Sequence, residues 1–338
     1  MNTSGQPEII AEIAQAHDGS LGIAHSYIDA LVGSGVDTIK FQMHIAEAES
    51  SEFEQFRVNF SYEDKTRYDY WHRMGFTFEQ WVGLKKHCEE KGFRFLCSPF
   101  SMMAVEWMDK LEAERYKIAS GEISNFPMLE KICMTGKPIL LSSGMSSYDD
   151  LSAATDFIKK HNGRFEGVFQ CTTAYPTPPE KYGLNVLQEL KQRLGCKVGL
   201  SDHSGEIYAG LAAVALGAEM LEMHVVFDKA MFGPDAKSSL TIEEFRTLVD
   251  GCRKISTSLN NPVNKNATEE YSELKIMFGK SLSARNDLSE GKTISLDDLE
   301  TRKPGDKGIP AGAYREIIGK KINKDKAAGS FLETSDFN

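Results

Sequence analysis

The chain has 338 residues, 41% hydrophobic and 26% charged, enough for one large domain and a small one. Its net charge of −10 argues against a nucleic-acid partner, which needs a basic face. No stretch approaches the roughly 18 apolar residues of a membrane span, and MNTSGQPEIIAEIAQ lacks the basic start and apolar run of a secretory signal, so the cytoplasm is the expected location.

Short apolar runs alternate with amphipathic segments up to about residue 258. They are EIIAEIAQ (8–15), TIKFQM (38–43), FRFLCS (93–98), RYKIAS (115–120), PILLSS (138–143), GVFQCTT (167–173), KVGLSD (197–202) and EMLEMHVV (219–226). The first helical segment, LGIAHSYIDALVGSG, places Leu21, Ala24, Ile28 and Leu31 on one face and ends at Gly33 and Gly35. The last opens at Thr241 with Glu244 three residues on, a capping box. Eight strands, each followed by a helix, predict a (β/α)₈ TIM barrel over residues 1–259. The competing doubly wound sheet often carries a G-x-G-x-x-G turn after its first strand, and none stands there.

One connection is long. Residues 46–76 separate the second strand from its helix, and Phe53, Phe56, Phe60, Tyr62, Tyr68, Tyr70 and Trp71 in it predict an ordered lid or a subunit contact. Residues 260–276 read as a linker, and 277–338 as a small β-rich domain of short strands and turns. That tail carries 11 Lys and Arg against 10 Asp and Glu, leaving 28 against 39 for the rest. Electrostatics therefore favours contact between the two parts, within a chain or between chains. The six cysteines are scattered with no C-x-x-C, which gives no support to a zinc site or a disulfide framework.

In a barrel all strand C-termini point to one face, where active sites sit. Reading the strands to their ends yields Glu12 and Gln15, Lys40 and Gln42, Ser98, then Lys117, Ser120 and Glu122. Ser142 and Ser143 follow, then Gln170, Thr172, Thr173 and Tyr175, then Ser201, Asp202 and His203, and last Glu222 and His224. Two lysines with several hydroxyls suit a dianion such as a phosphate. Neighbouring strands lie about 4.8 Å apart, so His203 and His224 can converge on one divalent ion, with His17 a third candidate. His25, His44, His72, His87 and His161 are assigned to surface or loop roles. Glu12 and Glu122 are candidate acid/base groups, or else salt-bridge partners of Lys40 and Lys117.

The segments EIAQAHDGSL, TIKFQ, SPFS, YKIASGE, LSSGMSS, QCTTAYPTPPE, VGLSDHS and LEMHVVFDK, in this order, resemble the sialic acid synthase family. SLSARNDLSEGKTISLDDLETRKPGDKGIP resembles its antifreeze-like (SAF) domain. The resemblance implies an enzyme that condenses phosphoenolpyruvate with an open-chain N-acylated hexosamine, giving a nine-carbon 2-keto acid and phosphate. It implies a divalent metal, usually manganese, on His203 and His224, and a domain-swapped homodimer. It implies phosphoenolpyruvate contacts at Lys40, Ser98, Lys117, Ser120, Ser142, Thr173 and Ser201. Sugar contacts fall on Glu12, Gln42, Glu122, Tyr175 and Asp235, with Lys303 of the SAF domain acting in trans.

Three positions depart from the family pattern. Ala16 precedes His17 where asparagine is usual, Thr173 replaces another asparagine, and Lys303 stands where an arginine precedes Pro-Gly. These leave the acceptor open between N-acetylmannosamine and a diacetamido-trideoxyhexose of the legionaminic or pseudaminic type. A synthase acting on a sugar phosphate would need further basic residues, and no arginine ends a strand to supply them. A non-catalytic sugar-binding protein is the remaining alternative.

Overall fold

A computed structural model describes residues 5–56, 58 and 60–337. Eight parallel strands follow one another around a closed sheet: β1 (Glu8–Glu12), β2 (Thr38–Met43), β3 (Arg94–Pro99), β4 (Tyr116–Ile118), β5 (Pro138–Ser142), β6 (Arg164–Cys171), β7 (Lys197–Asp202) and β8 (Met220–Val226). β1 pairs with both β2 and β8, which closes the barrel and leaves no edge. The predicted TIM barrel is therefore the observed fold, and β2 and β7 match their predicted bounds.

Eight helices follow the strands in turn: α1 (Leu21–Ala30), α2 (Phe78–Glu90), α3 (Met102–Lys110), α4 (Phe126–Met134), α5 (Tyr148–Lys160), α6 (Val186–Leu194), α7 (Tyr208–Ala215) and α8 (Ile242–Asn260). The Thr241 side chain caps α8 through the Glu244 amide, and Glu244 returns the bond, as the capping box predicts.

Strand side chains alternate between the barrel interior and the helix layer. The outward set joins the main core with the helices, including Ile9, Ala11, Ile39, Phe41, Tyr116 and Val198. Inside, Ile10, Leu96, Leu140, Phe169 and Met220 form a separate, fully enclosed apolar plug. The plug fills the lower interior, so the polar layers above it stand at the strand C-termini.

The described residues of 46–76 include two short helices, Ala46–Glu49 and Arg67–Met74. Ala46, Tyr70, Trp71 and Met74 make a small core, with Phe56, Phe60 and Tyr68 packed against it. Phe53 and Tyr62 stay exposed, at 82% and 94%, so the aromatic content of this excursion is only partly structural. Phe60 lies 5.7 Å from Phe232, between ring centroids, which links the excursion to the loop after β8.

The chain divides into two compact units at 261/262. The second holds an antiparallel pair, Ser281–Ala284 with Leu299–Arg302, around a core that includes Leu282, Leu288, Ile294, Ile322 and Leu332. The expected linker is not wholly irregular: Ser272–Phe278 form a helix. Among the described residues no helix is long and apolar enough to cross a membrane.

Candidate active site in the barrel mouth

Above the plug lies a charged layer. Register places Glu12 opposite Lys40 on one side and His224 on the other, and Ser201 opposite Glu222. Lys40 pairs with Glu12, and its Nζ lies 3.6 Å from Glu222 Oε1. Lys117 Nζ donates to both Glu222 oxygens at 3.0 and 3.1 Å and sits 4.2 Å from the Phe169 ring centroid. Ser201 Oγ adds a 3.1 Å bond to Glu222. Two ammonium groups and two carboxylates thus occupy one buried layer, each charge compensated, as burial demands. Burial pushes the Lys40 pKa down to about 8 against the opposing pull of Glu222. Burial raises the Glu222 carboxyl, but Lys117 and Lys40 outweigh it and hold the group below its ordinary range.

This layer floors a cavity of about 1090 Å³. Lys40, Gln42, Ser98, Lys117, Ser120, Glu122, Ser142, Thr173, Tyr175, Ser201, His203, His224 and Asp235 all line it. Glu12, Lys303 and the third histidine candidate, His17, do not. Glu12 is buried beneath the cavity wall, occupied by Lys40 and by the Ala14 amide at 2.9 Å. Lys303 belongs to the second unit, where its Nζ lies 5.0 Å from the Phe278 ring centroid.

On the β4–β6 side the hydroxyls cluster. Ser120 and Ser142 oxygens are 3.1 Å apart, and the Gly144 amide donates to Ser120 Oγ at 3.0 Å. A methyl group on Gly144 would come within 2.6 Å of both Ser120 Oγ and Thr173 Oγ1, so only glycine lets the backbone approach this cradle. Small donors beside a lysine suit a phosphate.

The histidines form the opposite wall. Their ring centroids are 5.1 Å apart, and the Tyr175 ring lies 4.3 Å from His203. Burial pushes both pKa values down, so both rings are neutral. The Thr172 carbonyl accepts from His203 Nδ1 at 3.2 Å, which leaves the Nε2 lone pair for a ligand. Among the described residues no cluster of three His, Cys, Asp or Glu could hold a metal. The donor set fits an ion held by two imidazoles, with its other positions left to water or substrate. Burial takes His17 down to about 3; it packs 4.7 Å from Phe76 and does not line the cavity. Asp202 accepts from the Ser204 amide and hydroxyl, so within Ser-Asp-His-Ser the serine and histidine face the cavity while the aspartate shapes the turn.

Glu122 contacts neither lysine. Asn125 donates to it at 2.7 Å, and burial together with the nearby Glu49 raises its pKa. Sequence reasoning named Glu222 as a strand-end group but gave it no role, and the structure makes it the shared counter-ion of both lysines. His44, assigned to a surface or loop role, is instead buried and lines the cavity with Glu49, Arg67 and Trp71. Its position two residues beyond Gln42 on the inward face was the available signal. Lys229 and Lys237 also reach the wall, from the loop after β8.

Residues 27–264 match the NeuB family, and residues 279–338 match the SAF domain. The chain belongs to the NeuB family. NeuB-family synthases are phosphoenolpyruvate-utilising transferases, and the chain is an enzyme of that class. It is 32% identical to the N,N'-diacetyllegionaminic acid synthase of Campylobacter jejuni, over 94% of this chain and 96% of that one. It is 33% identical to the N-acetylneuraminate-9-phosphate synthase of Homo sapiens, over 93% and 88%. The crystal structure of the N-acetylneuraminic acid (sialic acid) synthetase from Leptospira borgpetersenii, in complex with citrate, superposes with a TM-score of 0.70 at 28% identity. It covers 80% of this chain and 91% of that one.

Proposed function

We propose that this NeuB-family enzyme condenses phosphoenolpyruvate with an open-chain, unphosphorylated N-acylated hexosamine, giving a nine-carbon 2-keto acid and phosphate. One observation carries the reading: two buried lysines and a hydroxyl cradle share one cavity with a pair of neutral imidazoles. Lys40 and Lys117 hold the carboxylate and phosphate charges of phosphoenolpyruvate. Ser120, Ser142, Ser201, Ser98 and Thr173 supply directed donors. Gln42, Glu122, Tyr175 and Asp235 face the acceptor.

The enol carbon of phosphoenolpyruvate attacks the acceptor's aldehyde carbon, whose oxygen takes up a proton. The cationic C2 that results takes up water, which loses its proton, and the adduct expels phosphate by C–O cleavage. Glu122, with its raised pKa, is suited to hold or move a proton at the aldehyde oxygen. His203 and His224 are the residues that would hold a divalent ion, manganese on the family resemblance. Such an ion supplies Lewis-acid polarisation of the acceptor carbonyl. The chain's own contribution is positioning and preorganised charge. We propose further that the enzyme works as a homodimer, with Lys303 acting at its partner's acceptor.

A sugar-phosphate acceptor has one observation in its favour: Arg67, Lys229 and Lys237 reach the cavity wall, cations that the strand ends alone did not offer. Arg67 faces Glu54 at 3.4 Å, and Lys229 is committed to Glu244 and the Gly205 carbonyl. Glu49, Glu54, Glu122 and Asp235 share the wall, so a second phosphate meets more anions than free cations there.

The test is phosphate release from phosphoenolpyruvate with Mn²⁺, in parallel with N-acetylmannosamine, its 6-phosphate and 2,4-diacetamido-2,4,6-trideoxymannose. Turnover is expected with one of the unphosphorylated sugars. Turnover with the phosphate ester alone refutes the acceptor class. No release with any acceptor refutes the reaction.

A further inference from the structure

The cavity wall contributed by the β2–α2 excursion carries an arginine whose donors are not used up. Arg67 opens the helix Arg67–Met74, and its guanidinium lies over Trp71, 4.2 Å from the ring centroid. The Tyr70 and Phe56 ring centroids stand 5.1 and 5.8 Å away. Contact with these rings holds the guanidinium in place without engaging its N–H groups. Arg67 Nε faces Glu54 Oε1 at 3.4 Å, and among the described residues no hydrogen bond engages either Nη.

Glu54 is fixed by other partners. The Trp71 indole N–H donates to both of its oxygens, at 3.1 and 3.3 Å, and Ser50 Oγ donates to Oε2. A carboxylate accepts about four bonds, so Oε1 keeps capacity for one more. Trp71 itself is buried, packed against His44 at 3.7 Å between centroids, so little of the ring is left for a ligand. Arg67, Glu54 and Trp71 all line the cavity. What this wall presents there is a donor fork beside an acceptor.

That pairing selects among ligands. A hydroxyl accepts and donates at one oxygen, so it can take a bond from Arg67 and give one to Glu54. A trans amide points its N–H and C=O in opposite directions and cannot serve both at once. A phosphate meets the Glu54 carboxylate as a like charge. A methyl group leaves both polar partners unpaired. A vicinal diol fits best, because the guanidinium fork is spaced for two neighbouring oxygens. On the synthase reading, phosphoenolpyruvate takes the lysine floor and the aldehyde meets it beside the histidines, so the far end of the acceptor is left for the outer wall. We propose that Arg67 and Glu54 read the terminal diol of the acceptor, at C5 and C6, and favour a sugar that carries both hydroxyls over its 6-deoxy counterpart. The inference rests on the synthase reading and narrows the acceptor within it.

The experiment is an enzyme-by-substrate cycle in the full-length protein with Mn²⁺. The acceptors are N-acetylmannosamine, its 6-deoxy analogue and 2,4-diacetamido-2,4,6-trideoxymannose. Wild type is expected to show about tenfold higher kcat/KM with N-acetylmannosamine than with the 6-deoxy analogue, the scale of one hydrogen bond to a charged group. Arg67→Met keeps a stem over Trp71 and loses the fork. It is expected to raise KM for N-acetylmannosamine by about tenfold, to leave KM for phosphoenolpyruvate unchanged, and to shrink the preference to below about threefold. Arg67→Lys keeps the charge without the fork and should resemble Arg67→Met. An Arg67→Met enzyme that keeps the wild-type preference overturns the inference, and so does a parallel rise of both KM values, the mark of a merely structural role. Wild type that uses the 6-deoxy analogue as well as its parent, or the trideoxy sugar alone, overturns the inference while the synthase reading stands. Wild type inactive with all three sugars overturns the synthase reading and this inference with it.

Discussion

The floor of the cavity and its excursion-built wall solve different problems. The floor is made by strands: Glu12, Lys40, Lys117 and Glu222 are held by the sheet with Ser201, and their charges cancel within one buried layer. The wall is made largely by the β2–α2 excursion, whose Arg67 and Trp71 stack in turn on His44, just after β2, and through it on Phe100, just after β3. A floor of that kind suits the part of a substrate that never varies, because its geometry cannot drift. A wall of that kind can be rebuilt without disturbing the sheet, as loops on barrels generally can.

The largest expected effect falls on the floor. Lys117→Met should lower kcat/KM for phosphoenolpyruvate by about 10²–10³-fold, the scale of losing one preorganised charge, while the barrel stays folded by circular dichroism. His203→Ala should weaken Mn²⁺ binding in a titration and remove turnover with little change in melting temperature. Unchanged metal-dependent activity would refute the assignment of that histidine.

Glu222→Ala should hurt stability rather than chemistry first. It leaves two buried ammonium groups sharing one carboxylate, a change that costs about 3–5 kcal/mol. Denaturant melts would read the loss directly, and a shift below about 1 kcal/mol would mean that the floor repacks or admits water. Trp71→Ala removes a buried ring from the wall, at about 3 kcal/mol if the small core there depends on the whole fold. If the wall unfolds by itself, the global midpoint should barely move while the KM for the acceptor rises, and that outcome would sharpen the contrast most.

The smallest effect is with pH. The Glu222 carboxyl is held below its ordinary 4.5 in the folded state, so its pairing contributes stability above pH 4.5 and loses it as pH falls through the lower folded value. Lys40 works at the other end. With its pKa brought down to about 8, its charge fades above that pH, and KM for phosphoenolpyruvate should climb there. A flat KM up to pH 10 would count against a charged Lys40 as a ligand.

The fold was readable because strand and helix periods alternate cleanly, and because a capping box at Thr241 and glycines at 33 and 35 punctuate helix ends. The floor was readable for a related reason: a lysine inside an apolar strand has nowhere to point but into the barrel. What escaped was pairing. Glu12 does pair with Lys40, one of the two alternatives the sequence left for it, but Glu122 contacts neither lysine, and Glu222, which had no role, takes Lys117 and lies 3.6 Å from Lys40. His44 escaped because its ring partners lie 27 and 56 residues further on, at Trp71 and Phe100, and no local pattern announces them. The lysine at 303 belongs to a second unit that the barrel's own strand order says nothing about.

The apolar plug of Ile10, Leu96, Leu140, Phe169 and Met220 has a consequence for the sequence of events. It shuts the lower end of the barrel, so traffic uses the mouth alone. On the proposed reading, the ligand of the lysine floor must go in before the one that sits above it, and what is left at the bottom departs after what lies on top. The enzyme is thus a queue with a single door. Initial-rate patterns should show compulsory order, with phosphoenolpyruvate first and free phosphate the last to leave.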